Sequence, residues 1–315
     1  MNAAIQMQNV TLKKREKTLL YNISMEAYKG EVLGILGANG SGKTSLVKVL
    51  TGQVKPDYGT IYIGGECCDR HRTSAMIHSG CILEENNFYP YLTGMQNLRM
   101  FAGIRPDVTS KMLTDIIYFT GLVRCIHRKV STYSNGMKKR LAIALALLHQ
   151  PEILILDEPA AGLDPGAIRN LREYLRMLAH ERHACILTTT NLLSEAELMC
   201  DRVIMLAGGR IVENRSMHEL IHTTGGTHTI YRFRVSNAAE AANAARLVLD
   251  TEAVISDSQS LELSIPNHDT DNLLSKLTYQ FIAWGLDVYT IYPIDNRTLE
   301  DAFLEITHSG GVQLD

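Results

Sequence analysis

No apolar run in the 315-residue chain approaches the ~18 residues that cross a bilayer as a helix. The longest candidates, such as LAIALALL at 141–148, are far too short. The N-terminal stretch MNAAIQMQNVTLKKREK has no apolar core of the secretory kind. Positive charge is not in excess: the 31 Lys and Arg against 34 Asp and Glu leave a net charge of −3. That balance lacks the basic footprint of a broad nucleic-acid binder, so no nucleic-acid partner is expected. The 6 cysteines are scattered without CxxC or Cys/His ligand spacing, although Cys67 and Cys68 are adjacent. The pattern argues against a disulfide framework or a metal site and fits free thiols in a reducing cytosol. No aromatic residue occurs from 1 to 20. With 45% hydrophobic and 21% charged residues, the composition is that of an ordinary globular protein. The length suggests about two domains of ~150 residues each.

The first two-thirds alternate short apolar runs with helical patterns, which is α/β architecture. EVLGILG (31–37) reads as a strand followed by a glycine-rich turn and the helix KTSLVKVL. EILILDEP (152–159) is a near-continuous apolar run ending in acids, the pattern of a parallel strand covered on both faces. An amphipathic helix at about 166–180 leads to the strand ACILTTT (184–190), and a helix begins near Leu192. Residues 92–130 read as a helical subdomain. From about Gly225–Gly226 the pattern changes to strand, helix, two short strands, helix, strand, and a last helix TLEDAFLEITH (298–308). This βαββαβ order is that of a ferredoxin-like α+β domain. The expected domains are 1–225 and 226–315, with a frayed end at SGGVQLD.

GANGSGKT, comprising Gly37, Ala38, Asn39, Gly40, Ser41, Gly42, Lys43 and Thr44, fits G-x-x-x-x-G-K-[ST] at every fixed position. It lies between a strand and a helix, the context a P-loop requires. Glycines let successive backbone N–H groups wrap phosphates, and the helix N-terminus adds its positive dipole end. Lys43 is placed for the β- and γ-phosphates and the Thr44 hydroxyl for Mg²⁺. Asp157 ends a buried strand, where its carboxylate can approach Mg²⁺. Glu158 follows and can polarise an attacking water. Alone, those acids could simply terminate a strand; beside a P-loop they complete a site for ATP and Mg²⁺.

The order P-loop, helical insert, YSNGMKKRL, ILILDEP, GLDP covers about residues 5 to 220 and resembles the ATP-binding subunit of an ABC transporter. The resemblance implies a P-loop NTPase core that dimerises with itself or a homologue. It also implies a separate multi-span membrane permease as partner, which would hold the chain on the inner face of the cell membrane. It assigns YSNGM as the signature segment, in which Ser134, Asn135 and Gly136 face the partner's nucleotide, and Asp164 as the D-loop. It places Glu84 where the family usually has a Mg²⁺-touching glutamine. CILEENNFYPYLTG and the YSNGMK signature are similar to the bacitracin- and lantibiotic-resistance exporters, which makes antibiotic export the expected role. Phe88, Tyr89 and Tyr91 could form a socket for the permease, or be partly buried core. The LEDAFLEIT ending resembles the accessory region of drug-export ATPases, with a role in dimer contact, regulation or packing.

Three positions depart from that family. The adenine-stacking aromatic expected near Leu12 to Lys14 is missing, Asn135 replaces a glycine, and Asn191 stands where the family has its switch histidine. His183 is eight residues upstream, roughly 26 Å along a strand at ~3.3 Å per residue. Asparagine donates a hydrogen bond but carries no proton near neutral pH. It is also common at strand ends and caps. Reduced hydrolysis is therefore expected, with Glu158 and Asn191 as the catalytic pair. A low-turnover regulatory subunit and a soluble non-transport ABC protein are the alternatives.

Overall fold

The computed structural model describes residues 3–15, 17–83, 88–105, 107–222, 228–249, 253–266, 269–294 and Leu299. Two compact units emerge, residues 1–217 and 218–302. The expected break at Gly225–Gly226 lies outside the described residues.

The first unit is built on a six-stranded sheet. Its order is Arg210–Ser216, Arg202–Ala207, Val32–Leu36, Cys185–Thr190, Ile153–Asp157, Ser79–Ile82. All neighbours are parallel except the first pair, which is antiparallel. Val32–Leu36, Cys185–Thr190 and Ile153–Asp157 are buried at every position, which is why the first and last of them read as near-continuous apolar runs. Parallel register aligns Leu36 with Thr190 and Asp157 with Thr189, so the carboxyl ends of the three strands finish at one edge. In an open α/β sheet that edge is where ligands bind.

A second, antiparallel sheet follows the order Lys17–Tyr28, Ala3–Lys14, Tyr58–Ile63, Glu66–Cys67. The helix Lys43–Leu50 joins its core to that of the parallel sheet: Leu46, Val47 and Leu50 pack in one cluster with Ile5, Leu20, Ile155 and Leu187. Burying a Leu or Val stabilises the fold by roughly 1.5–3 kcal/mol each, so this packing anchors the loop at the helix start.

Between Ser79–Ile82 and Ile153–Asp157, the second and third parallel strands in chain order, the described residues are mostly helical. Gly94–Ala102 opens on a capping box in which Thr93 and Gln96 satisfy each other's backbone N–H groups. Ser110–Phe119 is capped by Thr109, a 3₁₀ turn spans Val130–Thr132, and Asn135–Leu147 is capped by the Ser134 hydroxyl.

The second unit has a four-stranded sheet in the order Val254–Ile255, Ser260–Pro266, His228–Val235, Val288–Ile294, with every neighbouring pair antiparallel. Helices Ala238–Ala245 and Thr270–Ala283 supply the rest of its core. Phe233 and Phe281 meet edge to face with centroids 5.6 Å apart. The expected last helix, 298–308, and the expected frayed end lie outside the described residues apart from Leu299.

Candidate functional site

One cleft of about 970 Å³ opens at the carboxyl edge of the parallel sheet. Asn39, Gly40, Gly42, Lys43 and Thr44 line it, together with Asp157, Glu158, Asn135 and Asn191. The loop before Lys43 turns through Gly42 at φ +115°, where an L side chain is strained and a Cβ would come 3.0 Å from the Leu19 carbonyl oxygen. Lys43 is 6% exposed and donates from Nζ to the carbonyl oxygens of Gly37 at 2.6 Å and Ala38 at 3.1 Å. Burial holds its pKa below the usual lysine value, against the opposing pull of Glu158 and Asp157. Ser41 is also buried, and its Oγ has no hydrogen-bond partner among the described residues.

Asp157 is 3% exposed and accepts a 2.6 Å hydrogen bond at Oδ1 from the Thr189 hydroxyl on the neighbouring strand. Thr189 in turn accepts the Glu158 backbone N–H at 3.0 Å. Oδ2 of Asp157 has no protein partner among the described residues. Glu158 lies just past the strand end at φ 44°, a conformation rarely adopted by residues with a Cβ and concentrated at functional sites. From the other side, Lys139 Nζ donates to the Asp157 carbonyl oxygen at 3.3 Å. Four lysines, Lys17, Lys43, Lys138 and Lys139, line the cleft against the two acids. The field suits a polyphosphate, and a buried carboxylate in the same cleft as Thr44 suits a hard, oxygen-seeking cation.

Asn191 is exposed at the cleft, one residue past the strand Cys185–Thr190. It is not the cap of the next helix. Leu193–Met199 has Leu192 at its N-cap without a side-chain cap bond, and the turn is closed by the Thr190 hydroxyl accepting the Leu192 N–H at 3.0 Å. Asn191 makes no hydrogen bond among the described residues. His183 sits before the amino end of the same strand, its Nδ1 facing Gly30, and so is away from the cleft.

Ser134, Gly136 and Asp164 do not line the cleft. Ser134 accepts the Met137 N–H at 3.3 Å as a helix cap. Gly136 lies so close to the following loop that a Cβ would meet the Gly162 carbonyl oxygen at 2.9 Å. Asp164 caps Pro165–His180 by accepting from Ala167 N–H at 3.0 Å and pairs with Arg140. Glu84 lies outside the described residues. Phe88 is half-buried, and Tyr89 and Tyr91 are exposed with rings edge to face at 6.0 Å. Sequence reasoning missed Thr189, Lys139 and the Lys17–Leu19 wall. The TTT run was visible, but only the parallel register shows which threonine meets Asp157.

The sequence model of the ABC transporter family matches residues 20–161, which contain the whole loop and both acids. The ATP-binding protein YhcH of Bacillus subtilis is 35% identical over 98% of this chain and 97% of its own length. The chain belongs to the ABC transporter ATP-binding proteins. The bacitracin transport ATP-binding protein BcrA of Enterococcus faecalis is 32% identical over 99% of both chains. Among solved structures, an ATP-binding subunit of an ABC transporter matches with a TM-score of 0.64 at 26% identity, covering 69% of this chain and 91% of that one. This ABC subunit therefore has the P-loop NTPase fold in its first unit. Among its described residues no helix is long and apolar enough to cross a membrane. Membrane-spanning parts of such transporters typically reside in a separate permease.

Proposed function

We propose that the chain binds MgATP in this cleft and hydrolyses it to drive an exporter of antibiotic-like compounds. The reading rests on one observation above all: the P-loop lysine, Asp157, Glu158 and Asn191 line a single cleft. The loop N–H groups and Lys43 bind and orient the phosphates. Thr44 and Asp157 would hold Mg²⁺, which when bound neutralises phosphate charge. Glu158 accepts the proton of the attacking water, and Asn191 donates a hydrogen bond in place of a switch histidine, so turnover is slow. Ser134, Asn135, Gly136 and Asp164 act across a dimer of this chain or of this chain with a homologue. Glu84 joins the metal surroundings. Phe88, Tyr89 and Tyr91 dock a permease, which keeps the subunit at the inner face of the membrane. BcrA, named for bacitracin transport, supports an antibiotic as cargo. The second unit's strand order and alternating helices support a ferredoxin-like accessory domain, and the expected domains are those of a cassette followed by that domain.

The amide of Asn191 at the cleft, in place of an imidazole that could carry a proton, favours a second reading, a low-turnover ATP-binding subunit paired with a standard one. Purification from membranes with a multi-span partner, followed by steady-state phosphate release, separates the two. Turnover that needs both this cleft and the partner supports the exporter. ATP binding with turnover only at a companion subunit's site supports the second reading. Failure to associate with any membrane protein removes the exporter.

A further inference from the structure

Three consecutive threonines end the strand beside Asp157, and they have different surroundings. Thr188 and Thr190 line a small cavity with Pro159, Ala160 and Met199, on the opposite face to Thr189 as strand alternation requires. The Thr188 hydroxyl has no partner among the described residues. Thr189 is fully buried, yet both capacities of its hydroxyl are used. Its proton goes to Asp157 Oδ1 at 2.6 Å and its oxygen takes the Glu158 N–H at 3.0 Å.

Strand formation does not need that hydroxyl. Valine matches threonine in shape and strand preference, and the neighbouring strands are otherwise apolar at this depth. The hydroxyl does two things a methyl cannot. It fixes the rotation of the carboxylate of Asp157, a residue that lines the cleft, by occupying Oδ1. It also holds the Glu158 backbone at φ 44°, from which the next carboxylate enters the same cleft. One hydroxyl thus links the group read as a metal holder to the group read as a base.

We propose that Thr189 is a positioning residue that couples the orientation of Asp157 to that of Glu158, and so sets both the Mg²⁺ requirement and the turnover of the site. The inference rests on the roles given to Asp157 and Glu158 above. Partners that orient metal-holding groups are typically worth 10–100-fold in metal affinity or activity. Thr189 is expected to fall in that range, while phosphate binding by the loop around Lys43 is independent of it.

The test uses the full chain with Thr189→Val and Thr189→Ser, and Glu158→Gln alongside. Binding of a fluorescent ATP analogue is measured without Mg²⁺ and across a Mg²⁺ titration, and phosphate release at saturating ATP. Thr189→Val should bind the analogue without Mg²⁺ within about 2-fold of the parent. Its half-saturating Mg²⁺ should rise about 10-fold and its turnover fall about 10–100-fold. Thr189→Ser, which keeps the hydroxyl, should restore both. If Thr189→Val does not fold, Thr189→Ala and Thr189→Ser are compared in its place. Parental Mg²⁺ dependence and turnover in Thr189→Val, with Glu158→Gln inactive, overturns the role of Thr189 alone. Equal impairment of the serine and valine variants also overturns it, because keeping the hydroxyl would then make no difference. Full turnover by Glu158→Gln overturns the reading of the two acids and the inference with it.

Discussion

Replacing Asn191 by histidine is expected to speed ATP turnover. The perturbation is clean in the folded chain. Asn191 is exposed at the cleft, caps no helix and makes no hydrogen bond among the described residues, so its removal breaks nothing. Exposed substitutions of that kind usually change stability by less than about 0.5 kcal/mol. The gain is that of one transition-state positioning group, of order 10²–10³-fold or about 2.7–4 kcal/mol when removed from other enzymes. An asparagine amide is itself able to donate a hydrogen bond, and Glu158 lines the same cleft, so the lower part of that range, about 10–100-fold, is the expected increase. A second signature is independent of size. Imidazole titrates near ~6.5 and an amide does not, so the variant's turnover should acquire an inflection near pH ~6.5 that the parent lacks. Steady-state phosphate release at saturating ATP, from pH 6 to 8 in the assembled transporter, reads both. Unchanged or lower turnover with intact ATP binding refutes the idea that this corner limits hydrolysis.

Lys43→Ala removes a buried cation from the phosphate cradle. Hydrogen bonds to charged groups are worth about 1.5–3 kcal/mol, so nucleotide affinity should fall roughly 10–100-fold by calorimetry, and parental affinity would contradict the cradle. Asn97 is fully buried and bonds the Tyr89 N–H at 2.9 Å, the Tyr89 carbonyl at 3.1 Å and the Thr93 carbonyl at 3.0 Å. Its replacement by alanine orphans the Tyr89 N–H at about 1–3 kcal/mol, while the two carbonyls keep the backbone donors of Leu92 and position 97. The change is read as a lowered melting temperature and faster amide exchange at Tyr89, and an unchanged Tyr89 exchange rate would refute the clamp. Burial pushes the thiols of Cys81 and Cys185 up to about 12. Because the raised folded pKa keeps them protonated through pH 8, neither should react with iodoacetamide in the native chain, and both should react after unfolding in urea. Rapid native labelling would show that they are not buried thiols.

Much of the parallel sheet was legible because its strands are covered on both faces. A run such as ILILD or VLGIL has no alternation to hide, and the acids and glycines that end it mark the functional edge. The strand Ser260–Pro266 of the second unit was legible for the opposite reason: SLELSIP alternates cleanly between buried and half-buried positions. The antiparallel sheet of the first unit was not anticipated. Register shifts interrupt its first strand between Met7 and Val10, where Asn9 takes φ 51°, and the inside–outside alternation breaks with them. In the site, the P-loop and the Asp157–Glu158 pair were readable because their chemistry is contiguous in sequence. Thr189 was not, since it meets Asp157 only through strand pairing across 32 residues. Asn191 was singled out for a missing imidazole, and it plays no capping part, since the Thr190 hydroxyl closes that turn.

The proposed function requires that the chain dimerises with ATP bound in this cleft and that Glu158 takes the proton of the attacking water. Glu158→Gln tests both halves in one sample: the variant is incubated with MgATP, its oligomeric state measured by light scattering and its phosphate release followed. The account predicts ATP bound, an ATP-dependent dimer that persists, and almost no phosphate released. Phosphate release at the parental rate, or no ATP binding at all, would contradict it.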